Sequence, residues 1–177
     1  MNAALQKQFN ELEKSRKDLF EDLRSYDDEV INRKPAPGAW SIAQVVEHLI
    51  KAEENSLIYL QKKTQDTSKI PVAGLRSHWR YFLTATVFMT NIKYKAPAIV
   101  VPSENFATIK HLDQHWAKVR KDTFELLNHL PEADLKKEIW KHAVAGKMNV
   151  TQMLAFFNMH FNRHRKQVYR TLAELVL

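Results

Sequence analysis

A chain of 177 residues, 45% hydrophobic and 27% charged, has the size and composition of one domain spanning 1–177 with a core of its own. It contains no cysteine, which excludes disulfides, thiolate metal sites and a cysteine nucleophile, and suits a reducing cytoplasm. Lys and Arg exceed Asp and Glu by 27 to 20, yet they are scattered among carboxylates in short helical clusters such as Lys118, Arg120 and Lys121, so no sequence-specific nucleic-acid partner is expected.

Glycine occurs only 3 times. Sheet proteins need it at many tight turns, so the expected fold class is all-α, with long helices and few turns. The N-terminal residues lack the apolar core of a signal peptide, and no run approaches the roughly 20 apolar residues of a membrane span. A cytoplasmic protein with no membrane partner is the expectation.

Apolar residues at Leu5, Phe9, Leu12, Leu19, Leu23, Tyr26 and Val30 fall at steps of three, four or seven. They predict one long helix with a single buried stripe, interrupted only by Arg16 and ending before Pro35-Ala-Pro37-Gly38. Ser41 opens a second helix, with Gln44 completing a capping box and Trp40 stapling the entry. Its stripe runs Ile42, Val45, Val46, Leu49, Leu57 and Leu60, and His48 stands on the edge of that face.

Gln65 to Pro71 reads as a loop. A third helix follows, with an apolar stripe at Leu75, Trp79, Phe82, Thr86 and Met89, and Lys95 to Pro102 forms a crossover containing Ile99-Val-Val101. A fourth helix carries Ile109, Leu112, Trp116, Val119, Leu126 and Leu130 until Pro131. Glu138 to Lys147 is expected to be irregular, with a turn at Gly146. Asn149, with Gln152 three residues on, then caps a last helix through Met153, Phe157, Phe161, Val168 and Leu172. Five helical segments, four of them long and amphipathic about one seam, predict a bundle. Sites in bundles are built from side chains projecting inward from facing helices.

Two of the histidine pairs have the i, i+4 spacing that puts both rings on one helix face. The face of His111 and His115 continues to Lys118 and Asp122 and is expected to be in water. The face of His160 and His164 runs back to Phe157 and Met153 and on to Val168, so it points to the core. Buried imidazole nitrogens need partners, and a metal ion would satisfy both rings at once. A third ligand must come from another helix, and His48 is the best-placed candidate. Three neutral ligands leave the ion's charge uncancelled and a coordination position open, which suits catalysis. The alternative is a pair of packed histidines hydrogen-bonded to their neighbours. His78, His129 and His142 have no partner at ligand spacing and read as surface or structural groups. Glu47 is the nearest carboxylate in sequence, but one residue from His48 it points about 100° away and is not assigned as a base.

Trp40-Ser-Ile-Ala-Gln44 followed by His48, with Gly146-Lys-Met-Asn-Val-Thr-Gln152 leading to His160-x-x-x-His164 and Gln167, resembles the signature of the DinB-like metal-binding bundles. The resemblance covers essentially the whole chain. It implies an up-down-down-up four-helix bundle with a short additional helix or irregular segment, a homodimer, and one divalent ion, nickel or zinc, on His48, His160 and His164. Members of that family include thiol transferases that use bacillithiol or mycothiol, a thiol-dependent isomerase, and proteins named as metal-dependent hydrolases. Many relatives have His-Pro before the last helix where this chain has His142-Ala143, a change in a loop near the site mouth. The expected activity is metal-dependent transfer of sulfur from a low-molecular-weight thiol to an electrophilic small molecule. Hydrolysis is the close alternative, and a non-catalytic ligand-binding or metal-sensing module is a third.

Overall fold

The computed structural model of the chain describes residues 1–89, 97–142 and 146–176. Helix α1 (Ala3–Leu23) is capped by the Asn2 side chain on Leu5 N–H. The expected single helix up to Pro35 is instead two. The chain turns at Arg24–Asp27, where Ser25 Oγ donates to the Asp22 carbonyl, and resumes as α2 (Asp28–Asn32). The stripe hides this break because Tyr26, Val30 and Ile31 still pack on the core after the bend. Three hydrogen bonds tie α2 to the entry of the fifth helix: Asn32 donates to the Ala107 carbonyl and accepts from its N–H, and Asp28 accepts from Ile109 N–H.

The predicted capping box opens α3 (Ile42–Lys63), with Ser41 and Gln44 each accepting from the other's backbone N–H at 3.2 and 3.0 Å. Helix α4 (Leu75–Met89) is followed by a 3-10 turn (Ala98–Val100), α5 (Ile109–His129) and short α6 (Glu132–Leu135). Residues 138–147, expected to be irregular, contain the strands of an antiparallel pair, β1 (Trp140–His142) and β2 (Gly146–Met148). Three-residue strands are too short to show an alternation in sequence. Gln152 and Asn149 cap α7 (Val150–Val176) reciprocally, as their spacing predicted. Lys95, Ala96, Ala143 and the Met89 side chain lie outside the described residues.

Two apolar clusters at opposite ends show the helix directions. One joins Leu19, Phe20 and Leu23 of α1 to the start of α3 (Val45, Leu49), the start of α5 (Leu112, Trp116) and the later part of α7 (Val168, Leu172). The other joins Leu5, Phe9 and Leu12 to the end of α3 (Leu60), the end of α5 (Leu127) and the start of α7 (Met153, Phe157). Helices α1, α3, α5 and α7 therefore run up, down, down, up, the all-α bundle expected, with α1 and α3 each packed against α5 and α7.

Between the clusters lies a polar layer. Arg120 of α5 donates to both Glu53 oxygens of α3, at 2.9 and 2.8 Å, and to the Leu12 carbonyl of α1. Both side chains are buried, at 3% and 8% exposure. Arg16, the apparent interruption of the first stripe, is buried too and pairs with Glu13 and Asp113.

Helix α4 departs from expectation. It lies on α7 and β2 outside the bundle, and the stripe predicted to face inward faces out: Leu75 is 91% exposed, Trp79 61% and Phe82 55%. Among its described side chains the face it buries is mixed: Ser77 donates to Gln152 Oε1 at 2.8 Å, and Tyr81 packs on the second apolar cluster. Hydrophobic spacing finds the apolar face of a helix but not which way that face turns.

The buried pair generates a prediction. Glu53→Ala leaves the Arg120 guanidinium buried without its carboxylate, and chemical denaturation should show a loss of about 3–5 kcal/mol. Replacing both groups by apolar side chains of similar volume should recover most of it.

Candidate metal centre

His48 enters the core from the second turn of α3, while His160 and His164 enter from consecutive turns of α7. The antiparallel packing of these helices brings together residues 112 positions apart: His48 Nε2 lies 3.1 Å from His160 Nε2. The ring centroids of His48 and His164 are 4.8 Å apart, and those of His160 and His164 4.7 Å. One nitrogen from each of the three rings lies within 4.8 Å of the others.

Neighbouring groups select the free nitrogen. His48 Nδ1–H donates to the Val100 carbonyl at 2.8 Å, and His164 Nδ1–H to Gln167 Oε1 at 3.0 Å. Each bond leaves an Nε2 lone pair for the interior. Two such nitrogens about 2.0–2.1 Å from one ion, at near-tetrahedral angles, stand about 3.3 Å apart, so the His48–His160 spacing fits ligation. A proton on one of them, or a cation between them, offsets the repulsion of two facing lone pairs.

Burial keeps the rings neutral. It lowers the His48 pKa, against the opposing effect of the Val100 hydrogen bond. It lowers that of His160 well below the usual value, with the neighbouring His164, His48 and His142 adding to the effect, and that of His164 to about 4. The walls are aromatic. Trp40 lies 5.2 Å from the His48 ring, and Phe156 stacks on His160 at 5.4 Å. His164 is half-buried, so the centre opens on its side. No carboxylate belongs to this group among the described residues. The donor set therefore suits a borderline divalent ion, with positions left for an exogenous ligand.

The other histidines sort by surroundings. His111 is exposed as expected, but His115 is half-buried and meets Glu54 of α3 at 3.1 Å. His78 and His129 are exposed, each ring bonded to the carbonyl four residues earlier. His142, read as surface or structural, lies 4.5 Å from Phe156 on the flank of the site, and burial lowers its pKa to about 4. No spacing pattern pointed to it, although the family resemblance placed its loop near the site mouth. Glu47, not assigned as a base, turns to Ser103 and Lys51 instead.

The sequence model of the DinB superfamily matches residues 11–168. The chain is 26% identical over 160 residues to the uncharacterized protein YuaE of Bacillus subtilis, covering 90% of this chain and 92% of that one. It is also 26% identical over 151 residues to a protein of Geobacillus kaustophilus named "Putative metal-dependent hydrolase", covering 85% and 74%.

The neutral rings set a pH dependence. Their folded pKa values lie below the 6.5 of an unfolded histidine, so the unfolded chain binds more protons between about 6.5 and 4. Their contribution to metal-free stability should be complete above pH 6.5 and fall away as the pH drops toward 4. Thermal melts of the stripped protein should show a midpoint falling across that window, and less steeply when His160 and His164 are both replaced by Gln.

Proposed function

This chain belongs to the DinB superfamily, and we propose that it is a metal-dependent enzyme acting on a small molecule, with one divalent ion, nickel or zinc, on His48, His160 and His164. One observation carries the reading: three ring nitrogens from two helices converge in a largely buried group, without a carboxylate among the described residues, two of the rings oriented by hydrogen bonds from behind.

When bound, such an ion lowers the pKa of a thiol or water beside it and polarises an electrophile. The chain's own groups do the rest. His48 and His164 are held in the ligating tautomer, Trp40 and Phe156 exclude water from one side, and the half-buried edge at His164 admits the substrate. Transfer from a low-molecular-weight thiol is the leading reaction. A thiol of pKa about 8.5 beside a cation loses its proton near neutrality without a protein base, and among the described residues no carboxylate joins the three histidines. Hydrolysis is the second reading. The name of the Geobacillus relative favours it, and His142 lies beside Phe156 on the flank of the site. A cytoplasmic location, with thiols abundant, is part of the proposal; among the described residues no helix is long and apolar enough to cross a membrane. Lys14, Lys118 and Lys121 pair with carboxylates along their own helices, which supports a role without nucleic-acid recognition.

Turnover of a panel of thiols with electrophiles, and of ester and amide substrates, should appear only with metal. His160→Ala should lose both metal and turnover while remaining helical by circular dichroism. Full stoichiometric metal in that variant would refute the ligand set, and metal binding without turnover would favour a sensing or ligand-binding role.

We also propose that the chain pairs with a second copy through the outer face of α4. Val72, Leu75, Trp79, Phe82 and Leu83 expose on the order of several hundred Å² of apolar surface, the scale one partner contributes to a stable dimer. No acidic residue interrupts α4. Sedimentation should give a dimer, and Trp79→Asp a monomer that retains its metal; a monomeric parent chain would reject the pairing.

A further inference from the structure

We propose that the segment Ile99–Ser103 is a strap that holds His48 in its metal-binding orientation, with Glu47 as the positioning residue that anchors it; this rests on the three-histidine reading of the site. Gln44, Glu47, His48, Lys51 and Asn55 fall on one stripe of α3 about 100° wide. Every one of them bonds to the strap, which runs antiparallel to the helix. Asn55 donates to the Ile99 carbonyl at 3.3 Å, His48 to Val100 at 2.8 Å, Lys51 to Val101 at 3.0 Å and Gln44 to Ser103 at 3.0 Å. Glu47 Oε2 accepts from both the N–H and the hydroxyl of Ser103, each at 2.9 Å.

These bonds place one carbonyl, that of Val100, behind the imidazole. An unrestrained neutral imidazole can carry its proton on either nitrogen, and only the Nδ1–H form offers Nε2 to the interior. The Val100 carbonyl accepts a proton and cannot donate one, so it selects that form. Its position depends on the register of the strap. Glu47 fixes that register twice, through the two charge-assisted bonds to Ser103 and through Lys51, which meets Glu47 Oε1 at 3.0 Å and also grips Val101. Its carboxylate bonds to the strap and to Lys51 and not to the histidines, so it acts through another residue.

The test is titration of the metal-free chain with Co2+, followed by its visible absorption bands. Glu47→Ala should weaken Co2+ binding about tenfold or more, in the range found for groups behind a ligand, and shift the bands, while far-UV circular dichroism and the metal-free melting midpoint stay near those of the parent. Glu47→Gln keeps one oxygen for Ser103 but loses the charge assistance and the Lys51 pair, and should show a loss smaller than that of Glu47→Ala. Ser103→Ala removes one of the two donors and should give an intermediate loss, a second reading if Glu47→Ala does not fold. Parent affinity and bands in Glu47→Ala would overturn the proposal. A parent chain that does not bind Co2+ rejects the three-histidine site itself; one that binds normally with all variants unchanged rejects only the strap.

Discussion

The Arg120–Glu53 pair governs how the central helices meet. Glu53 stands 180° around α3 from Gln44, so the ion pair holds one side of that helix while the opposite side is free to carry other work. A buried guanidinium needs its bidentate partner and further acceptors, here the Leu12 carbonyl and the Trp116 ring face at 5.0 Å. Those requirements are met at one rotation and one register of α3 against α5 and α1. Apolar packing alone tolerates small slides of one helix over another. A charge that must be paired does not.

With α3 locked from behind, His48 lies about 140° from Glu53 and meets α7. The two imidazoles of α7 are in place because the backbone rises one turn between them, and the third arrives because α3 cannot rotate away. The neighbours of the site then favour uncharged rings. Phe156, Trp40 and the surrounding core disfavour imidazolium, which leaves lone pairs available near neutrality. A site of neutral rings asks little of the bundle. It contains no cluster of like charges to hold together.

The same economy explains the outlying elements. Helix α4 attaches through Ser77 and Gln152, and the short strands attach through their paired residues Trp140 and Met148, both buried in the second apolar cluster. Gly146, at φ +84°, begins β2 with the Arg80 side chain 3.6 Å from where a Cβ would stand, so glycine is required there for its backbone conformation. These pieces build the flank of the site next to His142 and leave the seam of the bundle undisturbed.

The sequence by itself determined the long helices, two of their caps and the inward histidines. Periodic stripes and the Ser41–Gln44 and Asn149–Gln152 pairs are local, and local hydrogen bonding and amphipathicity act within a few residues. His160 and His164 were legible because one helix turn relates them and their neighbours are apolar; His48 was legible only as an inward edge and through the family pattern. What the tertiary structure decided depends on pairs far apart in the chain. The bend after Leu23, the outward turn of the α4 stripe, the approach of His142 and the burial of Arg16 all follow from which surface an element meets, and a stripe carries no information about its partner. The strap is the clearest case. Its own residues, Ile99 to Ser103, show no regular pattern. Its conformation is written instead in five side chains of α3, 44 to 59 positions earlier, whose polar spacing gained a meaning only when the chain folded back against them.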